Sequence, residues 1–127
     1  MGEAKPTRVL VVDDEETIRE SLLAFLDDCD FSVSAVATAE EALAVIGHTP
    51  HDVGIVDLRL PGMSGDAFIL RAHKIAPSMR FLLHTGSSNY HLTRDLVQAG
   101  LRPEHVFRKP ITDLAILVKG IEELLSR

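Results

Sequence analysis

Val9-Leu10-Val11-Val12-Asp13-Asp14-Glu15 is the stretch that decides the fold: four apolar residues, then three acids with no turn residue between them. An unbroken apolar run of this kind suits a strand covered on both faces, as in a parallel sheet packed between helices. The same grammar recurs three times. Val53-Gly54-Ile55-Val56 runs into Asp57, Phe81-Leu82-Leu83-His84 into Thr85, and His105-Val106-Phe107-Arg108 into Lys109. If these runs are neighbouring parallel strands, their polar ends line the C-terminal edge of one sheet. Open α/β sheets place their ligand crevice at that edge.

The segments between the runs read as helices. After the strand at residues 8–12, Ile18, Leu22, Phe25, Leu26 and Cys29 recur on one helical stripe, with Glu15 and Glu16 placed to suit the helix dipole. Residues 31–36 alternate apolar with small polar side chains, the pattern of a strand nearer an edge. Thr38 and Glu41 form a capping pair for a helix through Ala42, Leu43 and Ile46, ended by Gly47. The third strand is expected at 52–56, followed by the Pro- and Gly-bearing loop 58–65 and a helix through Phe68, Ile69, Ala72 and Ile75 that stops before Pro77. A strand at 80–84, a helix using Leu92, Leu96 and Ala99, a strand at 105–108 and the stripe Leu114, Leu117, Val118, Ile121, Leu124 and Leu125 complete the alternation. Parallel strands need helical crossovers, and those cover both faces of the sheet, so the predicted architecture is a (βα)5 three-layer sandwich.

The 127 residues suit one domain spanning 1–127, with the polar residues 1–7 as a frayed lead-in. A hydrophobic fraction of 46% against 25% charged places the chain among ordinary globular proteins. The net charge of −6 argues against direct nucleic-acid binding, which needs a basic surface. No apolar stretch approaches the ~20 residues that span a bilayer, so no membrane role is expected. The lone Cys29 cannot form an internal disulfide; its place on the first helical stripe predicts a buried structural thiol in a reducing, cytoplasmic compartment.

Asp13 and Asp14 alone fit a helix cap with an acidic first turn as well as a metal site. Asp57 at an equivalent strand end changes the balance. Three carboxylates in one crevice repel each other, and they suit a hard divalent ion that takes oxygen ligands, with Mg²⁺ the natural choice. Nothing in the chain has the spacing of a helix–loop–helix calcium site. Asp57 is open to two roles, further ligand or nucleophile, since carboxylates form acyl phosphates where a metal offsets charge. Lys109 supplies a point cation, with Pro110 fixing the backbone after it, and Thr85 followed by Gly86 supplies one hydroxyl.

Taken together, Val11-Val12-Asp13-Asp14-Glu15, Asp57-Leu58-Arg59-Leu60-Pro61-Gly62-Met63-Ser64-Gly65, Thr85-Gly86, Ala99-Gly100 and Lys109-Pro110 resemble the response-regulator receiver domain of two-component signalling over nearly the whole chain. The resemblance implies a flavodoxin-like parallel sheet of order 2-1-3-4-5. It implies that Asp57 takes a phosphoryl group from a phosphohistidine of a sensor histidine kinase or histidine phosphotransfer protein, in a reaction the receiver itself catalyses, along with its hydrolysis. Asp14 and Asp57 would bind Mg²⁺ directly, Asp13 through water, and the backbone carbonyl of Arg59 would complete the set. Lys109 would pair with the phosphoryl group, Thr85 would turn its hydroxyl towards it, and Lys109-Pro110 would be cis. The added charge would then switch binding to an effector that the sequence does not name.

The chain also departs from the family pattern. Most receivers carry an aromatic residue three positions before the lysine, where this chain has Val106, which has no large ring to turn inward. Phe107 is adjacent but by alternation faces the other side. The segment from Gly100 to Lys109 is longer than usual, with Leu101-Arg102-Pro103 as a rigid turn. A different or weaker coupling to the face of the fourth helix, fifth strand and fifth helix is therefore expected. Arg59 and Ser87 flank the path of hydrolytic water, and His84 reads as a satisfied strand-end histidine. The competing function is a phosphorylation-independent docking module, favoured by Val106 and opposed by the intact acids, Thr85 and Lys109. An aspartyl-phosphate phosphatase would show an acid two residues after its nucleophile, where Arg59 stands. A flavodoxin-like cofactor binder conflicts with the acids after the first strand, which repel phosphate.

Overall fold

The computed structural model describes residues 5–87 and 89–126; residues 1–4 of the expected lead-in lie outside them. The described chain alternates β1 (Arg8–Val12), α1 (Glu16–Asp28), β2 (Ser32–Val36), α2 (Ala39–His48), β3 (Val53–Asp57), α3 (Gly65–Ile75), β4 (Arg80–Thr85), α4 (Arg94–Gln98), a 3-10 turn at Pro103–His105, β5 (Val106–Arg108) and α5 (Ala115–Leu125). The strands form one parallel sheet of order β2-β1-β3-β4-β5, as the sequence implied.

Alternation along the strands divides the core in two. Leu10, Val12, Val56, Phe81 and Leu83 point to one face, under α2, α3 and α4 residues such as Ala42, Phe68, Ile69 and Leu96. Val9, Val11, Val53, Ile55 and Leu82 point to the other, under Leu22 and Leu26 of α1 and Leu117, Ile121 and Leu124 of α5. Each central strand is thus buried on both sides, which is why its sequence is a continuous apolar run. β2, at the edge, mixes exposed and half-buried positions.

Caps fix where the helices begin. The side chains of Thr38, Ser64 and Thr93 accept from the backbone N–H groups of Glu41, Ala67 and Leu96, satisfying donors that a helix start leaves unpaired. Thr38 also donates its hydroxyl to the Glu41 carboxylate at 3.1 Å.

Several boundaries differ from expectation. α1 stops at Asp28, and Cys29 sits on the cap, exposed rather than buried. The chain turns out there through Asp30 at φ 69°, a left-handed conformation that Asp tolerates, so the stripe ends one turn early. Gly47 does not end α2, which runs on through His48 to a cap at Thr49. The third strand starts at Val53 and includes Asp57, because Asp52 is held in the preceding turn by Arg8, whose N–H donates to its carboxylate at 2.8 Å. β5 starts at Val106, since His105 closes the 3-10 turn and its Nδ1 accepts from the N–H of Arg102 at 3.0 Å. At the chain start, the carbonyl of Thr7 accepts from the N–H of Ser32 at 2.9 Å.

Candidate functional site

The ends of β1, β3, β4 and β5 open onto a crevice of about 440 Å³ lined by Asp14, Glu15, Asp57, Arg59, Thr85, Gly86, Ser87 and Lys109. Asp13 closes it from beneath, only 1% exposed, with one oxygen accepting from the N–H of Glu15 at 2.9 Å. Carboxylate oxygens of Asp13, Asp14 and Asp57 lie within 4.8 Å of one another. Lys109 Nζ reaches Asp13 Oδ2 at 3.0 Å and both Asp57 Oδ2 and Glu15 Oε1 at 3.5 Å. Four acids (Asp13, Asp14, Glu15 and Asp57) therefore face two cations, Lys109, which pairs with three of them, and Arg59, and the surplus of negative charge favours a further cation. Hard, closely spaced oxygen donors beside open space are the donor set that Mg²⁺ takes while keeping some of its waters.

Asp57 is 6% exposed, and burial pushes its carboxyl up from the ordinary 3.8 to about 6, with the charge of Asp13 adding to the rise. Lys109 and the N–H of Arg59, donating to Asp57 Oδ1 at 3.2 Å, oppose the rise without cancelling it. Burial alone would lower Lys109; the hydrogen bond and charge of Asp13, then Asp57 and Glu15, outweigh it and hold the ammonium above its usual range.

The loop after β3 holds this arrangement through a close approach at Gly65, whose N–H donates to the carbonyl of Leu58 at 2.7 Å. A Cβ at Gly65 would sit 2.3 Å from the carbonyl oxygen of Asp57, so only glycine lets α3 start so near the strand end. Thr85 is 1% exposed, and its Oγ1 accepts from the N–H of Ser87 at 3.1 Å. Lys109 donates its own N–H to the carbonyl of Thr85 at 2.7 Å, and the Lys109-Pro110 bond is cis.

Residues 9–121 match the sequence profile of the response regulator receiver domain. This chain belongs to the response regulator receiver family. The receiver is 37% identical over 83 residues to the two-component response regulator PhoP of Pseudomonas aeruginosa, covering 65% of this chain and 37% of that regulator. Among solved structures it resembles a CheY-like receiver domain from Methanospirillum hungatei (30% identity, TM-score 0.83, covering 96% of this chain and 95% of that one). It also resembles response regulator protein TrrA from Thermotoga maritima in complex with Mg²⁺ and BeF (26% identity, TM-score 0.80, covering 93% and 98%). The chain spans only 20% to 37% of the length of several curated relatives. Among its described residues no helix is long and apolar enough to cross a membrane.

All six residues singled out from the receiver's sequence, Asp13, Asp14, Asp57, Arg59, Thr85 and Lys109, meet at or directly beneath this one crevice. Glu15, in the sequence no more than a dipole partner, also faces Lys109; its place directly after the acid pair is the available signal. His84 departs from the reading as satisfied: it is 5% exposed, and neither ring nitrogen has a hydrogen-bond partner among the described residues. Burial, with the charge of Lys109 nearby, lowers it to about 4 and keeps it neutral. Val106, in register with Leu83, packs against the α2–α4 core, whereas Phe107 turns to the α1–α5 face, as alternation requires. The Phe107 ring lies so close to α5 that a Cβ at Gly120 would be 2.9 Å from it.

Proposed function

We propose that Asp57 is the phosphoacceptor of this receiver and that the domain, acting as one unit over 1–127 in the cytoplasm, switches a partner through it. In the transfer, an Asp57 oxygen attacks phosphorus, the P–N bond to a donor histidine breaks, and the imidazole leaves with the electron pair and takes up a proton. The donor is a sensor histidine kinase or a histidine phosphotransfer protein. Asp13, Asp14, Asp57 and the carbonyl of Arg59 would hold Mg²⁺. When bound, the ion offsets the charge on the phosphoryl oxygens and on the acids around them. Lys109 places its ammonium where a phosphoryl oxygen on Asp57 would need a counter-charge, and the buried hydroxyl of Thr85 has a hydrogen to donate to it.

The observation that carries this reading is Lys109 Nζ set between Asp13 Oδ2 at 3.0 Å and Asp57 Oδ2 at 3.5 Å, at the wall of an open crevice. Incubation with Mg²⁺ and acetyl phosphate, followed by intact mass, tests it: one phosphoryl adduct is expected, lost in Asp57→Asn. A chain that takes up no phosphoryl group would instead support the docking module that Val106 favours.

A further inference from the structure

Beyond the crevice, the loop between β4 and α4 is tied down by side chains that the phosphoryl chemistry does not use. Arg108 is forked: Nη1 donates to the carbonyl of Ser87 and Nη2 to the carbonyl of Tyr90, the latter at 3.1 Å. The Tyr90 hydroxyl donates to Asp66 Oδ1, in the first turn of α3, at 2.8 Å. Ser87 itself donates its N–H to the Thr85 hydroxyl oxygen at 3.1 Å. Thr85, Ser87, Arg108, Tyr90 and Asp66 therefore form one hydrogen-bonded chain from the crevice wall to a helix that contributes no side chain to the crevice lining.

We propose that Arg108 and Tyr90 are positioning residues that carry the state of Thr85 to α3, in place of a large side chain turning at position 106. This rests on the phosphoacceptor reading above. A phosphoryl group on Asp57 adds strong acceptors beside Thr85, whose hydroxyl oxygen is held by Ser87. Swinging the Thr85 side chain about its Cα–Cβ bond towards the new oxygens carries its oxygen away from the Ser87 N–H. The Ser87 carbonyl then loses its fixed aim, and the Arg108 fork, which needs both carbonyls in place, opens. Tyr90 loses its backbone anchor, and its phenol leaves Asp66. Val106 cannot perform this task, because its short branched side chain, packed against the α2–α4 core, has no ring to turn and no hydrogen-bonding group. The output then emerges at α3, whose Asp66 ends the relay, rather than at the β5–α5 side.

Burial, then the hydrogen bond and charge of Asp66, hold the Tyr90 phenol above its usual range, consistent with a phenol committed to that carboxylate. Burial likewise raises Asp66, against the lowering effect of the Tyr90 hydrogen bond.

Tyr90 is the only tyrosine in a chain without tryptophan, so its emission reports this one contact. A carboxylate acceptor quenches an excited phenol by taking its proton, so release from Asp66 brightens it. The experiment compares tyrosine emission with Mg²⁺ alone and with Mg²⁺ plus beryllofluoride, alongside the mass adduct from acetyl phosphate. Wild type is expected to brighten on adding beryllofluoride. Arg108→Ala, an exposed side chain outside the crevice, should still form the Asp57 adduct but lose the change in emission. Asp66→Asn should start bright and stay so. An Asp57 adduct in wild type without any change in emission, or an Arg108→Ala response equal to wild type, would overturn the relay while leaving phosphoacceptance standing. Failure of wild type to form the adduct would overturn both.

Discussion

The acidic wall of the crevice, at the ends of β1 and β3, and the opposite wall, at the ends of β4 and β5, are held in different ways. Asp57 ends a strand buried on both faces and Asp13 directly follows another, so packed backbone fixes their carboxylates before any ligand arrives. Thr85 sits on an equally buried strand, but the loop after it, only partly packed through Tyr90 and Leu92, is also fastened by hydrogen bonds from Arg108 and Tyr90. Packing of the first kind is stiff, whereas a chain of single hydrogen bonds, each worth ~1 kcal/mol net, can exchange partners. The rigid wall is suited to chemistry and the tethered wall to signalling.

The largest effect should come from breaking the rigid wall. Asp57→Asn is expected to abolish the phosphoryl adduct from acetyl phosphate, read by intact mass, while circular dichroism stays unchanged. The same substitution should stabilise the metal-free protein near neutral pH by up to ~3 kcal/mol in urea unfolding, because it removes a carboxylate whose folded value lies at about 6. The sign comes from proton counting. Between 3.8 and about 6 the folded wild type binds more protons at Asp57 than the unfolded chain, so this group stabilises at low pH and the benefit is lost as pH rises through 6. For the same reason protons compete with Mg²⁺, and titration calorimetry should show affinity falling by about tenfold per pH unit below that value.

His84 sharpens the comparison, because it pairs in register with Asp57 across β3 and β4 and titrates in the opposite sense. Its folded value of about 4 lies below the ordinary 6.5, so between those limits the unfolded chain takes the proton and stability falls as pH falls. His84→Leu should remove that acid loss and stabilise the fold at neutral pH by ~1 kcal/mol, since two unpartnered buried nitrogens vanish. Urea midpoints measured from pH 7 to pH 4 would then rise in His84→Leu and fall more steeply than wild type in Asp57→Asn; parallel profiles for all three proteins would contradict both shifts. The smallest effect is on the tethered wall. Tyr90→Phe should cost ~1 kcal/mol of stability and leave the Asp57 adduct in place.

The strand ends were legible in the sequence because apolar runs buried on both faces announce themselves and end where polar residues begin. That logic located Asp13, Asp14, Asp57, Thr85 and Lys109 and the sheet that gathers them. Helix ends were less legible. Cys29 and Gly47 fit the local rules for a buried stripe and a glycine cap, yet the helix ended earlier in one case and later in the other. His84 looked like an ordinary strand-end histidine, since no local pattern reveals whether a partner lies near its ring. Arg108, Tyr90 and Asp66 come from three separate segments and carry no shared pattern.

By itself the sequence determined the alternation of strands and helices, the inward and outward faces of each strand, and the opposed directions of Val106 and Phe107, because these depend on residue period and backbone sterics. Only the tertiary structure decided the distances between the side chains at those strand ends, how far burial lifts Asp57 and depresses His84, and which loop carbonyls the Arg108 fork reaches. Those properties depend on distances between segments remote in the chain, and electrostatic and hydrogen-bond energies change steeply over the few ångströms that only folding sets.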